Sequence, residues 1–365
     1  MTSNHFLTLI LALTAAALLV ILSLSVYICH RASSRRRTAA DVEAPDRKLE
    51  GEGGREPPCP SEDLVAFQGG EDLTICDILE APGEVIGKSG YGTLYKAMLQ
   101  RSGSVKLLRF LRPVCAARKD EFGAAVRCLG RVRSPNLVPL LGFYGGPRGE
   151  KLLVHPFYGR GNLADFIRDT NGGCRNWAVI YGISVGLAKG LDHLHTGLQR
   201  PMIHGNLKSK NILLDRNNRP YISDYGLHIL LIPETGQQML EIAAAEGYKA
   251  PELIKMRDVS EETDIYSLGV IFLELITGKN PMNEKASPDE ESHLPNYVRR
   301  AILDRRISEL YHPDILLADS CGEISAVAEE HILNFFQLAM ACCSPSPSLR
   351  PNTRQVLRKL EEIGT

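Results

Sequence analysis

With 365 residues and 44% hydrophobic composition, the chain is long enough to bury a sizeable core. Its formal net charge of -1 gives no basis for nucleic-acid binding, which asks for a basic surface. Nine cysteines without a C-x-x-C pair or ligand-like histidine spacing read as buried free thiols, not as a metal site or a disulfide framework.

Residues 6–29 carry no charged side chain and are long enough to cross about 30 Å of hydrocarbon as a helix. A cleaved signal peptide is the rival reading. However, basic residues do not precede the segment; they follow it, at Arg31, Arg35, Arg36 and Arg37. That asymmetry predicts a retained single-pass anchor with the C-terminal side in the cytoplasm. Residues 1–5 then form a short extracytoplasmic end, and no ligand-binding ectodomain is expected. Residues 30–68, rich in Arg, Glu, Gly and Pro, read as a flexible juxtamembrane linker. Cys29 at the membrane boundary is a candidate for acylation.

A folded region is expected from residue 69 to 363. Val85-Ile86 and Thr93-Leu94-Tyr95 enclose a turn containing Gly87, Ser89, Gly90 and Gly92, a hairpin whose backbone amides could approach phosphate. Another strand-like run, Ser104 to Arg112, holds Lys106 and Arg109; their odd spacing puts them on opposite faces. A helix follows from about Lys119 to Val132, then a strand from Glu150 that runs through His155 and Pro156 to Tyr158. Asn162 has the look of a helix cap, and Trp177 to His195 shows the spacing of a long buried helix. Beyond it, Ile203 to Asp215 and Ile222 to Gly226 each place polar residues between apolar ones, the first presenting Asn206, Lys208 and Asn211, the second Asp224. Between Leu227 and Lys249 the one hydroxyl-bearing Ser or Thr is Thr235, and Ile232, Leu240 and Ile242 are expected to anchor a packed segment. Ala326 to Met340 and Arg354 to Ile363 read as amphipathic helices, whereas residues 283–296 read as a solvated acidic loop.

The ordered pair His204-Gly-Asn-Leu-Lys-Ser-Lys-Asn211 and Ser223-Asp-Tyr-Gly226 resembles the kinase catalytic loop H-R-D-L-x-x-x-N and the D-F-G turn. With Gly247-Tyr-Lys-Ala-Pro-Glu252, Asp264 and Arg350 in register, the stretch from about 70 to 363 is similar to the plant leucine-rich-repeat receptor-like kinases, especially their kinase-deficient members. The resemblance implies an α+β, two-lobed protein-kinase-like fold, with the first lobe ending near 158 and the second starting near 159. It also implies ATP and Mg2+ as cofactors, with binding weak or absent, and Asn211 and Asp224 as metal ligands. Nucleotide contacts would fall to Gly87, Ser89, Gly90, Gly92, Arg109, His155, Pro156, Tyr158 and Lys208.

Four departures fall on separate tasks. Ser89 takes the place of the middle glycine; Arg109 stands where the phosphate-binding lysine belongs, unless the register slips and promotes Lys106. Ala125 replaces the glutamate that pairs with that lysine, although Glu121 lies one turn earlier on the same face. Asn206 replaces the general base, and an amide has no useful basicity. Gly205 also removes the arginine that senses a phosphorylated loop. The reading is a membrane-anchored pseudokinase, cytoplasmic below the plasma membrane, serving as scaffold or allosteric partner of membrane receptor kinases or other signalling proteins. The alternative is a slow Ser/Thr kinase working through Arg109, Lys208, Asn211 and Asp224.

Overall fold

Short strands in which Leu, Val, Tyr and Phe are the main apolar residues build the first lobe. The computed structural model describes residues 64–169, 176–254, 259–283, 291–311, 315 and 326–364. Strands β1 (Leu64–Ala66), β2 (Gly83–Lys88), β3 (Gly92–Met98), β4 (Val105–Leu111), β5 (Gly142–Gly145) and β6 (Lys151–Pro156) form one antiparallel sheet in the order β1-β5-β6-β4-β3-β2. Helix α1 (Ile75–Leu79) starts at Thr74, whose side chain accepts from the Asp77 amide. Together with α1, one sheet face closes a small core around Ile78, Leu99, Leu108, Leu152 and Val154.

Residues 64–68, read from sequence as the end of the linker, belong to this lobe. β1 pairs with β5, the Phe67 amide donates to Leu141 O at 2.8 Å, and Arg133 Nη2 donates to Gln68 O at 2.8 Å. Short strands give a weak composition signal, so this edge was hidden behind the polar residues that precede it. Helix α2 (Lys119–Leu129) follows β4 and turns Phe122, Val126 and Leu129 inward.

In the second lobe, α3 (Leu163–Arg168) is capped by Asn162, whose Oδ1 accepts from the Asp165 amide at 3.0 Å. The long α4 (Trp177–Thr196) is capped by Asn176 and buries Ile180, Ile183, Leu187 and Leu191. Hairpin β7 (Ile212–Leu214) and β8 (Pro220–Ile222) carries the polar loop between α4 and β7 on one side and Asp224 on the other. Helices α5 (Pro233–Ala245), α6 (Glu261–Thr277), α7 (Leu294–Leu303), α8 (Ala326–Cys342) and α9 (Thr353–Gly364) complete the lobe. α6 is apolar on nearly all sides and buried along its length, so it forms the centre of the larger core.

Three expectations need correcting. The segment after Gly226 is mainly helical: Pro at the first turn of α5 starts it, and the helical period turns Ile242 outward while Met239 and Ala243 face the core. Glu121 does not reach inward; it pairs with Arg118 at 2.6 Å on the exposed side of α2. Cys115, Cys128, Cys342 and Cys343 are free, but Cys76 is disulfide-bonded. The apolar segment 6–29 lies outside the described residues, among which no helix is long and apolar enough to cross a membrane.

Candidate functional site

Asp264 on buried α6 organises the polar loop. Its carboxylate accepts from the His204 amide at 2.7 Å, the Gly205 amide at 2.9 Å and His195 Nε2 at 3.0 Å. His204 Nε2 donates to Ser223 O at 3.0 Å, while its Nδ1 accepts from the Asn206 amide at 3.2 Å. Those roles require the neutral imidazole, and burial pushes the His204 pKa below its ordinary value. Gly205 adopts φ +77°, and a Cβ there would lie 2.9 Å from His228 Nδ1. The His228 ring therefore takes up space beside the missing side chain.

Asn206 is buried, its Oδ1 has no hydrogen-bond partner, and its carbonyl accepts from Asn211 Nδ2 at 2.9 Å. Lys208 does not point into open space. Lys208 Nζ donates to Glu246 Oε2 at 2.7 Å and Lys210 Nζ to Glu246 Oε1 at 2.8 Å. Glu246 caps the C-terminal end of α5. Burial works to raise its pKa, but the hydrogen bonds and charges of the two lysines outweigh that and hold it below 4.5.

Across the site, β4 presents Arg109 rather than Lys106. Arg109 Nη2 donates to Asp224 Oδ1 at 2.5 Å, and the two side chains are only 6% and 12% exposed. Asp224 has φ +63° and Gly226 φ +66°, so the turn keeps a left-handed carboxylate-bearing residue that an ordinary chain avoids. Between them Tyr225 is buried, with its hydroxyl donating to Val138 O at 2.8 Å. Ala125 is half-buried on α2 and packs on the larger core, bringing no charge to Arg109.

The glycine hairpin is tied by its serine. The Ser89 amide donates to Gly92 O at 2.9 Å, and the Gly92 amide donates to Ser89 Oγ at 3.1 Å. A Cβ at Gly92 would come within 2.4 Å of Phe110 O, so glycine is obligatory there. At Gly90 it would meet nothing within 4 Å, and at Gly87 it would contact Leu94. Tyr91, at the end of the turn, lies against Ser89, Arg109 and Asp224; burial, then the negative charge of Asp224, raises its pKa.

His155 Nδ1 donates to Pro139 O at 3.0 Å, and burial, aided by the nearby Arg109 charge, takes its pKa down to about 4. It is a neutral wall residue at pH 7. It lines a cavity of about 30 Å³ together with Arg109, Leu153 and Asp224, enough for one water-sized guest. Pro156 pairs with Lys106 in the β4–β6 register, and the Tyr158 ring lies on Tyr221 at 4.3 Å.

These residues do not suit a divalent cation. Asp224, the strongest oxygen ligand here, already holds a guanidinium that cannot lose its charge, and Asn211 offers a single neutral amide oxygen. Tyr91, His228 and Glu246 were not singled out from sequence. Each acts through a partner distant along the chain, 36 to 38 residues for the two lysine bonds to Glu246, and no local spacing marks such a pair.

Residues 81–360 match the family described as protein kinase domain. The chain is 37% identical over 301 residues to the kinase-like protein TMKL1 of Arabidopsis thaliana, covering 82% of this chain and 44% of that one. It therefore spans less than half of that relative's length. Leucine-rich-repeat receptor-like kinases and receptor kinases named as inactive, from the same plant, are also among its relatives. The maize SIRK1 kinase domain bound to AMP-PNP is similar in structure, with TM-score 0.71, 30% identity, and coverage of 83% of this chain and 100% of that one. The pseudokinase domain of BIR2, an immune regulator of the RLK/Pelle family, gives TM-score 0.68 and 30% identity, covering 83% and 90%.

Proposed function

The chain belongs to the protein kinase family, and from that premise we propose that it is a pseudokinase of the receptor-like class, a signalling scaffold or allosteric partner and not a phosphoryl-transfer enzyme. Its partners in this reading are membrane receptor kinases or other signalling proteins, and residues 6–29 anchor it with the kinase-like domain in the cytoplasm. Nucleotide binding is weak.

The observation that carries the reading is the Arg109–Asp224 ion pair. Phosphoryl transfer depends on cations placed against the phosphates and a group that takes the acceptor proton. Here the charge of Arg109 is spent on Asp224, that of Lys208 on Glu246, and the base position holds an amide. Loss of the base alone removes about 10²–10⁴-fold of rate. By contrast, the scaffold is fully supported: Asp264 holds the loop, and Arg350 donates to both oxygens of Glu252 at 2.6 and 2.7 Å. Stability of the fold with disabled chemistry fits a binding role.

The test is transfer of radiolabelled γ-phosphate by the purified chain to itself and to a generic protein substrate, beside an Asp224→Asn control. The expected result is no incorporation above the control. Incorporation that the control abolishes would establish the slow-kinase alternative.

A further inference from the structure

Three glycines fall at helical spacing on one face of α4: Gly182, Gly186 and Gly190. Packing within this chain accounts for two of them. A Cβ at Gly186 would lie 2.5 Å from Pro220 Cγ, and one at Gly190 would lie 2.9 Å from Asn136 O, so these bare positions let the β7–β8 hairpin and the Asn136 segment close on the helix. At Gly182 a Cβ would meet nothing within 4 Å. There, between α4 and the turn from β7 to β8, lies a cavity of about 440 Å³, a size typical of ligand sites. It shares no lining residue with the cavity beside Arg109 and Asp224.

The charge of its wall has one sign. Lys189 and Arg219 line it, both exposed, and neither side chain pairs with a carboxylate among the described residues, whereas Arg109, Lys208 and Lys210 all do. No acidic residue lines the cavity; four asparagines do, and Val179 and Val185 add half-buried apolar surface. Asn218 Oδ1, in the same wall, is buried without a hydrogen-bond partner.

We propose that this cavity is a docking site for an acidic peptide segment of a partner protein, with carboxylates on Lys189 and Arg219 and an apolar side chain against Val179 and Val185. A peptide brings N–H donors for the unmet Asn218 acceptor and for the other asparagine amides, which a phosphate group does not. The bare helix at Gly182 lets a backbone lie close, and a concave site of this size does not fit a flat membrane. This gives the proposed scaffold a contact surface, yet it stands whether or not the chain transfers phosphate, which the radiolabel assay reads separately.

Fluorescence anisotropy of a short labelled peptide of alternating Glu and Leu, titrated with the full chain, tests it beside the same peptide with Gln for Glu. The acidic peptide should bind at least about tenfold tighter, the equivalent of one charge-assisted hydrogen bond. Lys189→Glu and Arg219→Glu should each weaken its binding by about tenfold. Gly182→Leu should fill the cavity and abolish binding with no fall in the urea midpoint, because leucine favours a helix and its Cβ meets no obstacle. Equal affinity for the Gln peptide, or no binding of the acidic one, would overturn the proposal. So would unchanged binding in Gly182→Leu or in both charge variants. Displacement of the peptide by inorganic phosphate at constant ionic strength would overturn the peptide assignment in favour of a small anion.

Discussion

Removing Arg109 alone from the Arg109–Asp224 pair should cost more than removing both charges. With charge centres about 4 Å apart and an effective dielectric near 20, the mutual attraction is about 4 kcal/mol. Both side chains are nearly enclosed, so solvent screening does not erase it. Arg109→Met leaves the Asp224 carboxylate buried without its counter-charge, and the expected loss is about 3–5 kcal/mol. Asp224→Asn keeps an oxygen that can accept from Arg109 and tolerates the left-handed backbone, so about 1.5–3 kcal/mol is expected. In the double variant neither charge remains, and the loss should be smaller than that of Arg109→Met alone. The assay is urea unfolding of the full chain at pH 7, followed by fluorescence of Trp177, the one tryptophan, which packs on Tyr181 and Phe335. Comparable slopes across the four proteins are required for the midpoints to report stability. Additivity of the two single losses within about 0.5 kcal/mol would refute the coupling, and with it the claim that Arg109 is spent on Asp224.

A pH dependence follows from Glu274, buried beneath the site. It accepts from Tyr248 at 2.6 Å and Ser209 at 3.2 Å, and burial pushes its pKa up to about 7 despite those bonds. Between 4.5 and about 7 the folded chain holds a proton that the unfolded chain has released, so stability should fall as pH rises through that window. The span corresponds to about 3 kcal/mol as an order of magnitude. Glu274→Gln should flatten this slope in urea midpoints collected from pH 5 to 8; an unchanged slope would assign it to another group. For the anchor, protease treatment of sealed vesicles should leave a C-terminal tag exposed on the cytoplasmic side, and a tag protected in the lumen would reject the orientation argued from Arg31, Arg35, Arg36 and Arg37.

Features that depend on short-range pattern are legible in the chain alone. Helical spacing from Trp177 onward, the cap at Asn162 and the apolar run around Asp264 mark elements that form because nearby residues share a face or a cap. The replacement of a carboxylate by Asn206 is equally legible, since an amide lacks basicity wherever it stands. The side-chain pairing of the site belongs to the tertiary structure alone. Arg109 and Asp224 are 115 positions apart, and meet because β4 and the turn after β8 face one cleft. Glu246 reaches Lys208 and Lys210 because the preceding segment coils into α5, an outcome set by Met239 and Ala243 finding the core. A sequence names the charges present, but an ion pair forms only where packing brings two of them within a few ångströms and keeps water away, so which cations remain for a ligand is decided by the fold.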